Sequence, residues 1–379
     1  MSEQIAKRIE KELNVPDLVT LLADNLSGSD LYSLLLATLK RRVKKVDPGH
    51  LSIFSPVTKP CDIDARLLNK VESVAYEIAA NYKAIELAPL CPLGSVAKLS
   101  SLEQSNVLST IKPFECASDP TIGMALESAK LRKNSADRKD TTRLCTSQRV
   151  IRLPIPANPA FTAHFKLFSL VNAGRDTGSF EFESSALNEH IVFYLDFLNA
   201  LSTSGNFSFA DITVEISDTR VVGYLCSKFA IDKEEIRSTV RARDSNTSQQ
   251  ILSKHAVSWP KTINEPSTDL LSFDLPEHMI KQLQILNQVV CSQLSSRYSH
   301  VGFSFNLHRL TGLGYYAGPC FHIKLKNSQG ELFNLADGGF VDWTQLLLSD
   351  TKERLMTSAI GTELLCRMFR EDQGVNQTK

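Results

Sequence analysis

The sequence lacks most of the features that would declare a chemistry at once. No run of 18 consecutive apolar residues occurs in its 379 residues, so no segment reads as a membrane-spanning helix. No charge excess exists either: 42 Lys+Arg stand against 42 Asp+Glu. That balance removes any overall electrostatic case for a nucleic-acid or membrane partner and leaves only local patches. The eight cysteines include no Cys-x-x-Cys pair and no histidine cluster beside them, which argues against zinc and dithiol redox sites. Most sit in apolar surroundings, as in Tyr224-Leu225-Cys226, and read as buried small hydrophobes in a reducing compartment. The opening Met-Ser-Glu-Gln lacks the basic-then-apolar pattern of a secretory signal, so a cytoplasmic location is expected. There is no glycine-rich phosphate loop, Gly-x-Ser-x-Gly elbow or His-Glu-x-x-His pair, and no internal repeat.

What is present is a large apolar fraction, 42%, ample for packed cores. At about 150 residues per domain, the length fits two or three domains, or one large core with an appendage. Residues 1–46 read as helices, with N-cap chemistry at Ser27-Gly28-Ser29-Asp30 and leucines 31, 34, 35 and 39 at helical spacing. Five cations, Lys40, Arg41, Arg42, Lys44 and Lys45, close that run. They suit the negative end of a helix dipole, and RNA contact is the sharper alternative. Asp47-Pro48-Gly49 marks a boundary, giving an N-terminal helical segment over 1–48, a core over 60–370 and a polar tail over 371–379.

Within the core the spacing predicts a helix over 62–82 and strands over 84–90 and 107–112. A helix starts at Asp119-Pro120. Residues 130–152 hold eight basic residues against two acidic ones and read partly as exposed loop. Extended runs follow over 148–153 and 163–171, separated by prolines 154, 156 and 159. Helices are expected over 185–201, 221–230, 233–241 and 277–298, strands over 211–217 and 301–307, and a loop-rich stretch over 242–270. Residues 318–326 and 331–335 form a hairpin, Asp337-Gly338-Gly339 a turn, and 352–370 the last helix. The pattern is α+β, a mixed sheet covered by helices.

Several polar residues have two readings. Arg152 and Arg175 would clamp a phosphate or carboxylate if they shared a sheet pocket; otherwise Arg175 pairs with the adjacent Asp176. Asp119 and Thr121, at a helix start, either cap the helix or receive a substrate ammonium. Tyr315 and Tyr316, between glycines, either wall a small-ligand pocket or pack as a core pair. Glu363 could hold a metal–ATP complex or a ribose. His164 and His308 have no carboxylate at useful spacing and read as structural.

Thr311-Gly312-Leu313-Gly314-Tyr315-Tyr316-Ala317-Gly318, followed by a strand, a hairpin and Ala336-Asp337-Gly338-Gly339, resembles the histidyl-tRNA synthetase family. In that family's order stand Ser118-Asp119-Pro120-Thr121, like its amino-acid contact, and Arg152, like the motif 2 arginine on the ATP α-phosphate. His164 to Phe168 and Ala359 to Glu363 look like parts of motifs 2 and 3. The resemblance spans roughly 60–370 and implies the class II synthetase core, an antiparallel sheet flanked by helices. It also implies a homodimer through the 62–90 region. The resemblance sets Thr311 in place of the histidine-selecting arginine and Leu364 in place of the motif 3 arginine, and no anticodon-binding domain is expected after residue 370. The expected function is therefore a degenerate, regulatory paralogue that binds an amino acid or nucleotide, a partner protein, or both. The regulatory subunit of ATP phosphoribosyltransferase has a similar architecture and suggests a partner enzyme. The alternative is a divergent ligase that uses magnesium–ATP to adenylate another acid and passes it to RNA, a peptide or an amine, with Arg367 standing in for Leu364. Transfer RNA is a further partner to test.

Overall fold

The computed structural model describes residues 2–52, 56–100, 102–135, 137–155, 161–232, 235–236, 250, 254, 262–263 and 275–371. The readings made for 233–241, 242–270 and the tail after Glu371 therefore lie wholly or largely outside the described residues.

Among the described residues eleven strands occur in chain order: β1 (Lys83–Ala84), β2 (Leu90–Pro92), β3 (Phe114–Cys116), β4 (Thr142–Ile151), β5 (His164–Arg175), β6 (Ala210–Asp218), β7 (Thr262–Ile263), β8 (Gly302–Asn306), β9 (Pro319–Lys326), β10 (Leu332–Val341) and β11 (Glu353–Ile360). Nine form one sheet in the order β1-β4-β5-β11-β10-β9-β6-β8-β7; β2 and β3 pair separately. Only β1–β4 and β6–β8 are parallel; the other neighbours run antiparallel. Helices among the described residues include α1 (Ser2–Leu13), α2 (Gly28–Val43), α3 (Ala65–Ile78), α4 (Ser95–Leu99), α5 (Pro120–Asn134), α6 (Glu181–Thr203), α7 (Thr219–Lys228), α8 (Glu277–Leu286), α9 (Trp343–Leu348) and α10 (Thr362–Met368).

The sheet has two unlike faces because side chains alternate along each strand. On one face Phe168, Leu170, Val214, Ile216, Phe321, Ile323 and Met356 join α3, α6 and α8 in the main apolar core. On the other, Leu144, Val171, Cys320, Val341 and Leu355 pack under α5 and Trp343. Further along that second face the residues in register turn polar, with Ala359 the exception. Thr146, Ser169, Ala359, Asp337, His322, Glu215 and Ser304 sit directly opposite one another across seven strands. Every sidewise step in that row joins strands distant in sequence or read from different patterns, so no local periodicity announces it.

Several expectations change. The last helix is only Thr362–Met368, because 353–360 is the strand β11, paired on both sides. Its Glu, Arg, Leu, Met and Ala are helix formers, and tertiary pairing overrides them. Asp337-Gly338-Gly339 lies inside β10 rather than in a turn. A Cβ on Gly338 would meet Ser358 Cβ at 2.5 Å, and one on Gly339 would meet Cys320 Cβ at 2.4 Å and the Tyr316 ring at 2.6 Å. These glycines serve close approach, not chain reversal. The 107–112 run is not a strand; Ser109 makes only a bridge to Glu115, in β3. The 84–90 run is split between β1 and β2. Strand β4 begins at Thr142, inside the stretch read as loop. All eight cysteines are free thiols, and six are buried.

Candidate functional site

Helix α5 opens with Asp119 as N-cap and Pro120 in the first turn, a pairing that fixes the start of the helix. Asp119 Oδ1 accepts from the Thr121 backbone N–H at 3.0 Å and from the Thr121 hydroxyl at 2.7 Å. Its other oxygen, Oδ2, accepts from Arg152 Nη2 at 3.0 Å and from the Tyr315 hydroxyl at 3.2 Å. Arg152 is anchored in turn by a 2.8 Å bond from Nε to the Ser118 carbonyl, and it stacks over the Phe165 ring at 5.3 Å. Three residues from distant parts of the chain, Thr121, Arg152 and Tyr315, thus meet on the carboxylate of Asp119. Arg152 is 47% exposed and Asp119 16%, so the pair opens to solvent. A cleft of about 530 Å³, with walls including Leu87, Gly123 and Leu126, opens beside Asp119.

Tyr315 and Tyr316 meet edge to face at 4.9 Å, and Tyr315 also abuts Trp343. Tyr316 turns its hydroxyl to Asp337 Oδ1 at 3.0 Å, and its ring rests against Gly312 and Gly339. Gly312 has φ +87°, a conformation glycine adopts freely. Burial pushes the phenol of Tyr315 well above its ordinary range, and the nearby Asp119 charge adds to this. Burial and Asp337 do the same for Tyr316. Both hydroxyls therefore stay protonated donors.

Sequence reasoning missed the second half of the constellation. Arg309, buried beneath Tyr316, donates to Asp337 Oδ1 at 2.8 Å and to the Thr311 carbonyl at 2.9 Å. Next in the polar row come His322, 3.5 Å from Asp337 Oδ2, and Glu215, which accepts from Lys324 at 2.8 Å and Asn306 at 3.0 Å. Burial acts to raise the Glu215 carboxyl, but His322, Lys324 and Asn306 outweigh it and bring it down to about 2. Burial likewise opposes ionisation of Asp337, yet Arg309 and His322 hold it well below the usual carboxylate range. Only the Ala-Asp-Gly-Gly motif hinted at Asp337, and nothing local marked Arg309, which lies two residues before the Thr311–Gly318 segment.

These depressed carboxylates make a pH prediction. A folded-state pKa below the unfolded one contributes stability above the ordinary carboxylate range and loses it as pH falls toward the folded value. The thermal midpoint should therefore fall steeply between about pH 4.5 and about pH 2.5. Glu215→Gln should flatten that fall, as read by differential scanning fluorimetry. An unchanged slope in the variant would remove Glu215 from the account.

The other two residues read as ligand contacts sit elsewhere. Arg175 pairs with Asp350 at 2.7 Å and Glu353 at 3.4 Å, not with Asp176, which is taken by Arg354. Hence Arg175 and Arg152 do not form one clamp; each has its own carboxylates. Glu363 is buried and forms ion pairs with Arg149 at 2.9 Å and Arg367 at 3.4 Å. Arg149 alternates with Gln148 and Val150, so this trio lies on the opposite face of the sheet from Asp119. Arg367 also reaches Asp62 at 2.6 Å, and Leu364 packs into the main core. Neither supplies a guanidinium beside Arg152. Of the eight basic residues in 130–152, six are in ion pairs within the fold. Among the described residues no cluster of metal-ligating side chains occurs, and no helix is long and apolar enough to cross a membrane.

No protein-family model and no curated protein matches the chain. Solved structures do. An ATP phosphoribosyltransferase regulatory subunit/histidyl-tRNA synthetase from Bacillus halodurans superposes with a TM-score of 0.63 at 16% identity, over 83% of each chain. A histidyl-tRNA synthetase from a Nostoc species gives 0.58 at 16%, over 83% of this chain and 73% of that one. A histidine–tRNA ligase subunit from Alicyclobacillus acidocaldarius gives 0.58 at 15%, over 83% and 97%. The chain has the class II synthetase-like fold, a mostly antiparallel sheet flanked by helices.

Proposed function

We propose that this class II-like chain is a non-aminoacylating regulatory protein whose sheet face binds a small amino-bearing ligand, foremost an amino acid. The observation that carries the reading is the meeting of Arg152, Thr121 and Tyr315 on Asp119. A carboxylate and a guanidinium side by side, both reachable, complement the ammonium and carboxylate of a zwitterion. Asp119 would take the ammonium with Tyr315 and Thr121 around it, and Arg152 would take the acid. Tyr316 and Asp337 would border the ligand's far end.

The opposite side of a synthetase site, the triphosphate grip, finds no support here. A guanidinium fork holds phosphate, whereas Leu364 is apolar and Arg367 is committed to Asp62 and Glu363. The residues present thus do not fit magnesium–ATP. In favour of the divergent ligase stands only Arg152, retained and exposed.

Similarity in shape to the ATP phosphoribosyltransferase regulatory subunit/histidyl-tRNA synthetase of Bacillus halodurans supports a partner-binding role and a cytoplasmic setting. A homodimer through α3 and β1 is part of the same proposal, and β1 lies at the edge of the sheet.

Isothermal titration of the purified chain against the standard amino acids and ATP tests the reading. One amino acid should bind in the micromolar range, about −8 kcal/mol. Arg152→Ala should weaken that binding about 10- to 100-fold. Amino-acid-dependent exchange of pyrophosphate into ATP would instead establish the ligase.

A further inference from the structure

Residues 2–49 are largely helical, and none of their described side chains is fully buried. No described side chain before Leu68 is buried, although α1 and α2 carry many apolar residues. On α2, Tyr32, Leu35, Leu36, Leu39 and Val43 follow helical spacing and line one face. Of these, Leu35 to Val43 are 36–64% exposed. Ile5 and Leu13 of α1 are exposed as well. The helix has a well-formed start, since Ser27 caps it by accepting from the Asp30 N–H at 3.2 Å. Local signals therefore favour the helix while its apolar face goes unused. Helices of 12 and 16 residues are marginal alone, and a segment of this size cannot supply its own core.

The charge along the segment is sharply divided. Residues 1–30 hold six acidic and three basic side chains, whereas 31–46 hold five basic ones and no acid. The five cations are exposed, and no ion pair with them occurs among the described residues. Glu10, Asp17 and Asp24 are likewise without an ion pair there. An acidic half and a basic half joined to an apolar stripe are complementary to a second copy of themselves. Two such segments, two helices each, make a four-helix arrangement with its apolar faces inside.

Other occupants fit less well. A helix lying on lipid carries cations along its polar face, whereas α2 carries them only at its end. Single-stranded nucleic acid is held by cations and stacked aromatics, and Tyr32 is the one aromatic residue in 1–46. A row of leucines answers to protein.

The geometry points to residues 2–46 as a self-association module, with a second copy of the same segment as its occupant. The test uses the full chain, isotopically light and heavy copies mixed, with p-benzoylphenylalanine in place of Ser33 at the rim of the stripe. Irradiation should give light–heavy cross-links confined to residues 1–46, read by mass spectrometry. Leu35→Glu with Leu39→Glu should lower their yield at least tenfold, and these exposed sites should leave the thermal midpoint of the core unchanged. Lys40→Glu, Arg41→Glu and Arg42→Glu together should do the same. Mixing that variant with one carrying Glu10→Lys, Asp17→Lys and Asp24→Lys should restore the yield. Cross-links only from a chain to its own body would overturn the proposal. So would no cross-links, a yield indifferent to the leucine substitutions, or one that needs added RNA or anionic vesicles. Dimerisation through α3 and β1 does not affect this readout, because the cross-links name the residues that meet.

Discussion

Replacing Arg132 with alanine should destabilise the fold by about 3–5 kcal/mol, the cost of leaving a buried partner charge uncompensated. Arg132 is 1% exposed, in the last turn of α5, and its guanidinium lies against the fully buried Glu353 of β11. It also donates to the carbonyls of Asp140 at 2.8 Å, Arg138 at 2.9 Å and Ala173 at 3.3 Å. One side chain thus ties α5 to the loop after it and to two strands of the sheet. Removal leaves the carboxylate with Arg175 alone, at 3.4 Å, and three carbonyls short of a donor. Denaturant midpoints would measure the loss. The pair itself is a different matter, because desolvating both ions costs nearly as much as their attraction returns. Arg132→Met combined with Glu353→Leu should therefore recover most of the stability. If the double substitution is as unstable as the single, the loss belongs to the carbonyl contacts rather than to the charge.

The second large effect concerns binding. Asp119→Asn should reduce affinity for the amino-bearing ligand about 100-fold or more, since a buried hydrogen-bonded charge pair is worth several kcal/mol to a complex. Asparagine caps helices as well as aspartate does, so α5 should start where it does now and the thermal midpoint should move by no more than a few degrees. That separation makes the substitution informative. Titration calorimetry on Asp119→Asn alongside Tyr315→Phe would show the pattern, the second variant losing about tenfold. Equal affinity in Asp119→Asn and wild type would leave Asp119 as a helix cap only.

The contrast between what could be read and what could not has a physical basis. Helices α5 and α6 were legible because capping and apolar spacing are local. The link from Asp119 to Tyr315 was legible only through resemblance, because the two are far apart in sequence and meet through the sheet. Arg175 lies past the strand expected over 163–171, and its partners were out of reach of the sequence: Glu353 opens a strand that reads as helix, and Asp350 lies in the turn just before it. The same misreading hid the polar row: with β11 taken for a helix, Ala359 could not be placed between Ser169 and Asp337. Arg309 and His322 carry no motif of their own, and only the register of β9 against β10 brings His322 to Asp337.

The place of β11 in the sheet also governs when the protein can come together during synthesis. It is the last strand of the described chain, yet it sits between β5 and β10. As the chain leaves the ribosome, β5 can pair with β4 and β10 with β9, but the edges that β11 will join stay unpaired until 353–360 emerge. Arg152 with Asp119 belongs to one flank, and Asp337 with Arg309 to the other. The nascent chain must therefore wait with two open sheet edges, and these are surfaces that chaperones shield. Tyr315 meets Asp119 across the sheet only once that final insertion closes the gap.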